Sequence, residues 1–176
     1  MIRRLPFGEP VSVEERRRLY PMPTWLDCDR VRLHRGREPG VARAVWRTVL
    51  AVSRGRAVAL GNHVFLPAHR ADELPLLAHE LAHCGQYQAW GPVRYYARGL
   101  REQAQDLVHR LTGRGSCPYH YAPDGRPFAA YGMEQQGKII EDAFRGVDAA
   151  WGIAMTGSDR PAEPRAEPEN DEGLRV

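Results

Sequence analysis

Lysine is almost missing from this chain: of 25 basic residues one is lysine, Lys138, and the remaining 24 are arginine. So one-sided a choice reflects composition rather than a site, so the arginines say little about an anionic partner. They are also unevenly spread. Residues 1–56 hold 13 Arg against 6 acidic residues, a balance of +7, and residues 156–176 hold 6 acidic residues against 3 Arg, a balance of −3. A basic front half fits a solvated face better than a nucleic-acid surface, and nucleic acid is not the favoured partner. Cysteine is scarce too. Cys28, Cys84 and Cys117 are odd in number and lack paired spacing, which excludes a disulfide framework and fits a reducing compartment. Long apolar runs are lacking. The basic opening "MIRRLPFGEP" is followed by none, so no signal peptide is expected, and "VARAVWRTVLAVSRGRAVAL" is too broken by arginine to span a bilayer. The expectation is a cytoplasmic product without a membrane span, exported, if at all, by a machine that reads no N-terminal signal.

What is present suits one domain over residues 1–155, long enough for a single core, followed by an acidic, proline-rich tail over 156–176 without periodicity. "SVEERRRLY" predicts a short helix with Ser12 as N-cap and Glu15 at the third helical position. "DRVRLHRG" alternates Val31 and Leu33 with polar residues as a strand does. "VARAVWRTVLAVS" is read as a helix, and "RAVALGNHVFLP" as a hairpin turning at Gly61-Asn62 and ended by Pro67. A helix then runs from about Asp72 to Ala89, with Leu74, Leu77, Leu81 and Cys84 as its buried stripe, and Gly91-Pro92 stops it. "VRYYARGLREQAQDLVHRL" is a second amphipathic helix. A loop, "GRGSCPYHYAPDGRPF", leads to a final helix over about Tyr131–Trp151 with Met133, Gly137, Ile140, Phe144, Val147 and Trp151 on one face.

The chemistry is concentrated in "LLAHELAHCGQYQAW". On a helix His79 and His83 project side by side, so two imidazole nitrogens can reach one zinc ion without bending the backbone. Glu80 falls beside such an ion rather than on it, where a carboxylate can take a proton from water and pass it to a leaving amine. The flanking leucines and alanines half-bury these polar groups, and buried polar groups need partners or a metal. The preceding hairpin could hold an extended peptide along a strand edge.

Catalytic zinc takes three protein ligands and keeps one position open. The metzincin spacing would place the third at position 89, which is alanine, so that class is excluded. Glu134 in "YGMEQQGKIIEDAF" is the best-placed candidate, at the start of a helix where a carboxylate is favoured. His120, His109, Asp142 and Glu141 are rivals. Glu141, seven residues after Glu134, could instead hold a ligand imidazole from behind, as could Gln86, three residues after His83. An oxyanion donor is sought among Tyr131, His120, Tyr119 and Tyr121. His34, His63 and His69 have no partner spacing and are read as structural or solvated.

"LLAHELAHCGQYQ" followed by "FAAYGMEQQGKIIEDAF" resembles a family of zinc metallopeptidase-like proteins of contractile injection systems, the core-domain and Vgr-related proteins. The resemblance extends to "RRLPFGEPVSVEERRRLY", "DRVRLHRG" and "VALGNHVFLP". It implies one zinc ion held by His79, His83 and Glu134, as in gluzincins, with Glu80 as general base. Cys84 departs from it, standing where such proteins often carry valine; a small buried hydrophobe is its reading. The implied fold is α+β, a small zincin-like domain with an active-site helix, a β-hairpin and a second ligand-bearing helix. The implied function is hydrolysis of a peptide or protein substrate beside secretion-apparatus partners. The alternative is a catalytically silent, metal-stabilised structural or cargo module.

Overall fold

The computed structural model describes residues 7–22, 25–113, 117 and 119–156; apart from Thr156, the expected tail lies outside them. Among the described residues six α-helices accompany a small mixed sheet: α1 (Val13–Arg18), β1 (Arg32–His34), α2 (Gly40–Val52), β2 (Val58–Leu60), β3 (His63–Phe65), α3 (Leu74–Trp90), α4 (Pro92–Thr112), α5 (Met133–Phe144) and α6 (Asp148–Met155). The class is mixed α+β, mostly helical. No helix among the described residues is long and apolar enough to cross a membrane.

Local signals explain most of these elements. Ser12 caps α1 by accepting from the Glu15 amide, and Glu15 reaches back to the Ser12 amide, a reciprocal capping box. The hairpin turns at Gly61, whose φ of 65° favours glycine. It pairs β2 with β3 antiparallel, and β1 joins β3 on its other side in parallel, giving the order β1-β3-β2. The parallel register sets His34 beside Phe65, where it is fully buried, stacks on that ring at 4.3 Å and meets His63 Nδ1 through its Nε2 at 3.0 Å. Glu38 lies 3.2 Å from its Nδ1. These histidines are partnered, then, but by strand pairing that spacing along the chain cannot display.

Two helices differ from expectation. α3 begins at Leu74 rather than Asp72, because Arg70 and Glu73 close the preceding turn with bonds of 2.9 and 2.7 Å and Pro75 fits the first helical turn. The element expected to run from Tyr131 to Trp151 is two helices. Gly146, at φ 87°, ends α5: its amide donates to Ala143, and that of Val147 to Asp142, the Schellman pattern that only a left-handed residue permits cheaply. Val147 thus leaves the buried stripe and is exposed.

α3 is the central helix. Leu76, Leu77, Ala78, Leu81, Ala82 and Cys84 are buried against the sheet, α5 and the N-terminal segment, each leucine worth about 2 kcal/mol of transfer free energy. Gly85 lets Trp25 lie across the helix: a Cβ there would fall 1.3 Å from the Trp25 ring. Arg35, buried at the end of β1, donates to Glu9 and Glu15 and ties α1 to the sheet.

Candidate metal centre

His79 and His83 leave α3 one turn apart toward the first turn of α5, where Glu134 sits. The two Nε2 atoms are 3.1 Å apart, and Glu134 Oε2 lies 3.8 Å from that of His79 and 3.5 Å from that of His83. Ligands at zinc distances on the corners of a tetrahedron stand about 3.4 Å from one another. The triangle has that size, and these three residues form the group among the described residues that could hold a metal ion.

Hydrogen bonding from behind fixes what the triangle offers. Gln136 Nε2 donates to the Tyr131 carbonyl at 2.9 Å, so its Oε1 faces Gln86 as an acceptor. Gln86 Nε2 donates there at 2.9 Å and to the Met133 carbonyl at 3.1 Å. Its Oε1 therefore turns to His83 Nδ1, 2.8 Å away, which must carry the proton. His83 Nε2 is left with a lone pair. His79 Nδ1 is buried with the Glu141 carboxylate 3.4 Å away and no well-directed hydrogen bond, which again leaves Nε2 facing inward. Two imidazole nitrogens and a carboxylate oxygen converge on one point, an arrangement that suits a cation.

The charges respond in the same sense. Burial opposes protonation of His79, but the neighbouring Glu134 and Glu141 carboxylates, which would accept from a protonated ring, outweigh it and raise its pKa to about 10. His83 is raised as well, burial being overcome by the Glu134 charge. Glu134 is lowered: burial would raise it, and the two imidazoles prevail. Glu80, buried beside them, is pushed up by desolvation.

Two supports were not legible in the sequence. Glu102 of α4 accepts from the backbone amides of Met133 and Glu134, at 2.7 and 2.9 Å, and so caps the helix that carries Glu134 from another element. Gly137 lies under His79; a Cβ there would be 2.9–3.2 Å from the ring.

Gln86 and Glu141 thus stand behind the two imidazoles. The other candidates lie elsewhere. The Tyr131 hydroxyl donates within the loop, to the Ala122 carbonyl at 2.9 Å or Asp124 at 3.1 Å. His120 is exposed, and its carbonyl accepts from Gln135. Asp142 is held by Tyr121 at 3.1 Å and by Lys138. His109 faces inward from α4 without joining the triangle. Burial and then the Glu134 charge raise the Tyr119 phenol to about 12. Along the outer strand β2, the Ala59 carbonyl already accepts the Tyr95 hydroxyl at 3.0 Å, so the middle of that edge is engaged within the chain.

Residues 16–91 match the family model of the eCIS core domain, the core domain of extracellular contractile injection systems. The matched stretch runs from α1 to the end of α3. It is narrower than the resemblance noted from the motifs, containing His79, Glu80 and His83 but ending well before Glu134. No curated protein and no solved structure matches the chain.

Proposed function

We propose that this chain is a zinc-dependent metallopeptidase of gluzincin type, working in association with a contractile injection system. The convergence of His79 Nε2, His83 Nε2 and Glu134 Oε2, with the imidazoles backed by Gln86 and Glu141, carries the reading. The match of residues 16–91 supports the association. Zinc, when bound, supplies a Lewis acid that acidifies water and polarises a carbonyl. The chain's own contribution is proton handling. Glu80, adjacent in sequence to His79 and with its pKa raised by burial, accepts a proton from water and delivers it to the leaving amine.

A second reading rests on one observation. Glu80 and His83 are 4 % and 5 % exposed, a site closed enough for a metal-stabilised structural module. Zinc content measured on wild type, His79→Ala and Glu134→Ala, with peptide-library hydrolysis by wild type and Glu80→Gln, separates the two. An enzyme loses zinc in the first two variants and keeps zinc without turnover in the third. A structural module shows no hydrolysis in any form and unfolds when zinc is chelated. A folded wild type that refuses zinc ends both readings.

A further inference from the structure

A second group of buried titratable side chains lies apart from the metal triangle, and the reaction proposed above makes no use of it. His34, at the end of β1, is fully buried, and its two ring nitrogens face different partners. Nε2 lies 3.0 Å from Nδ1 of His63 on β3, and Nδ1 lies 3.2 Å from Oε1 of Glu38. The Glu38 side chain is 10 % exposed, and neither of its oxygens has a well-directed hydrogen bond among the described residues. Such a carboxylate costs stability that an apolar side chain would not. The three groups stand in a row, so they offer an ion no common point of the kind the triangle does. The His34 ring is boxed in as well. Phe65 stacks on it at 4.3 Å and Phe7 lies at 4.5 Å. Gly8 closes the Nε2 edge, where a Cβ would fall 2.9 Å from that nitrogen. Phe7 also reaches the His63 ring, at 5.9 Å.

A row of this kind has room for one hydrogen between its rings. With Glu38 as carboxylate, the Nδ1–H of His34 turns to it and Nε2 keeps a lone pair, to which His63 donates through its own Nδ1–H. A proton arriving at His63 Nε2 is accommodated only if the shared hydrogen crosses to His34. A second proton sets N–H against N–H at 3.0 Å. Burial lowers both rings below their ordinary value of 6.5. The Glu38 and Glu9 charges oppose it at His34, where that of His63 adds to it, and Arg32 adds to it at His63. The row also lies where residues 7–9 meet the sheet. Glu9 and Leu33, the neighbour of His34, exchange backbone bonds of 2.8 and 2.7 Å. We propose that Glu38, His34 and His63 form an acid-released latch, which holds residues 7–9 on β1 while both rings are neutral and lets them go when protons part the His34–His63 contact. The latch is independent of the metal site and of the peptidase reading.

Amide hydrogen exchange on the full chain tests it, read as protection factors so that the intrinsic effect of pH is removed. A histidine in the opened form takes its proton near 6.5 and the closed form resists, so closure is complete above pH 6.5 and is lost as pH falls below it. Each ring that stays neutral while closed makes opening about thirtyfold easier at pH 5 than at pH 7.5. The Glu9 and Leu33 amides are expected to lose protection by that factor, and to be less protected than those of α3 at both pH values, as local opening requires. In His63→Asn the side-chain amide can turn either its donor or its acceptor to His34, so a proton enters without a clash and most of the loss should disappear. Proton–nitrogen correlation spectra of the wild-type rings need no variant, and at pH 7.5 they should show the hydrogen on Nδ1 of both. Unchanged protection at pH 5, bridge amides as protected as α3, an equal loss in His63→Asn, or a hydrogen on His34 Nε2 at pH 7.5 would each overturn the inference.

Discussion

Gly137→Ala sets two effects of opposite sign against each other at one atom. Gly137 is helical, so alanine there is favoured by about 1 kcal/mol of helix propensity. Its Cβ would stand 2.9 Å from Cε1, 3.0 Å from Nε2 and 3.2 Å from Nδ1 of His79, closer than such contacts allow. In chelated protein the imidazole is the end of a side chain and can turn aside, giving up part of its bonding to Glu134 and Glu141. The gain and the loss then cancel to within about 1 kcal/mol. With zinc bound the ring cannot turn without leaving the triangle. Displacing a ligand by a few tenths of an ångström should weaken zinc binding tenfold to hundredfold, the range found when the supports of metal ligands are removed. At fixed free zinc, the hundredfold case removes about 2.7 kcal/mol of metal-dependent stabilisation. The assay is competition against a chromophoric chelator, with thermal unfolding in zinc and in excess chelator. The reasoning is refuted if the variant binds zinc as wild type does, for then His79 does not lean on α5 when the metal is held.

Other consequences are separable. Glu102→Ala exposes two amide donors at the start of α5 and should cost about 2 kcal/mol in chemical denaturation, with a weaker zinc site; Glu102→Gln, which keeps one acceptor, should lose about half as much. Gln86→Leu strips His83 Nδ1 of its acceptor and should lower zinc affinity tenfold to hundredfold in the same competition assay. In chelated protein the His79 pKa is raised from 6.5 to about 10. Its stabilising contribution is therefore complete below pH 6.5 and lost as pH climbs through about 10, so the melting temperature in chelator should fall over that interval. Zinc-loaded protein, with no proton on the ligating nitrogens, should not show this loss. Gly85→Ala drives a methyl into the Trp25 ring and should destabilise by about 2 kcal/mol, measured by denaturant titration, with zinc stoichiometry unchanged.

Where the chain's own order carries the information, reading it along the line works. A four-residue step puts His79 beside His83, and Ser12 with Glu15 announces the start of α1, because both relations are local to a helix. Glu102 is the opposite case. Its partners lie 31 and 32 residues on, and nothing about a glutamate in an amphipathic helix says that it caps another element. Likewise His34 meets His63 through parallel strand pairing 29 residues apart. The Gly146 break is hidden in the sequence for a different reason: the apolar period continues through it, and a glycine inside a periodic stretch can be either a tolerated residue or a left-handed stop.

α4 exposes the deeper limit of periodicity. A hydrophobic pattern reports which residues share a face, and for β1 and α3 the apolar face is also the buried one, since an apolar face normally finds the core. In α4 the body-side positions are instead set by the site: Glu102 must reach the α5 amides, and that contact fixes the helix's rotation about its axis. Once Glu102 points inward, Leu100, Leu107 and Leu111 have no choice but to point out. A single polar contact of a few kcal/mol with firm geometry thus decides the orientation of a seam whose burial would be worth more. The capping contact therefore sets how α4 is turned as well as where α5 begins, and Glu102→Ala should loosen the seating of α4 along with zinc affinity.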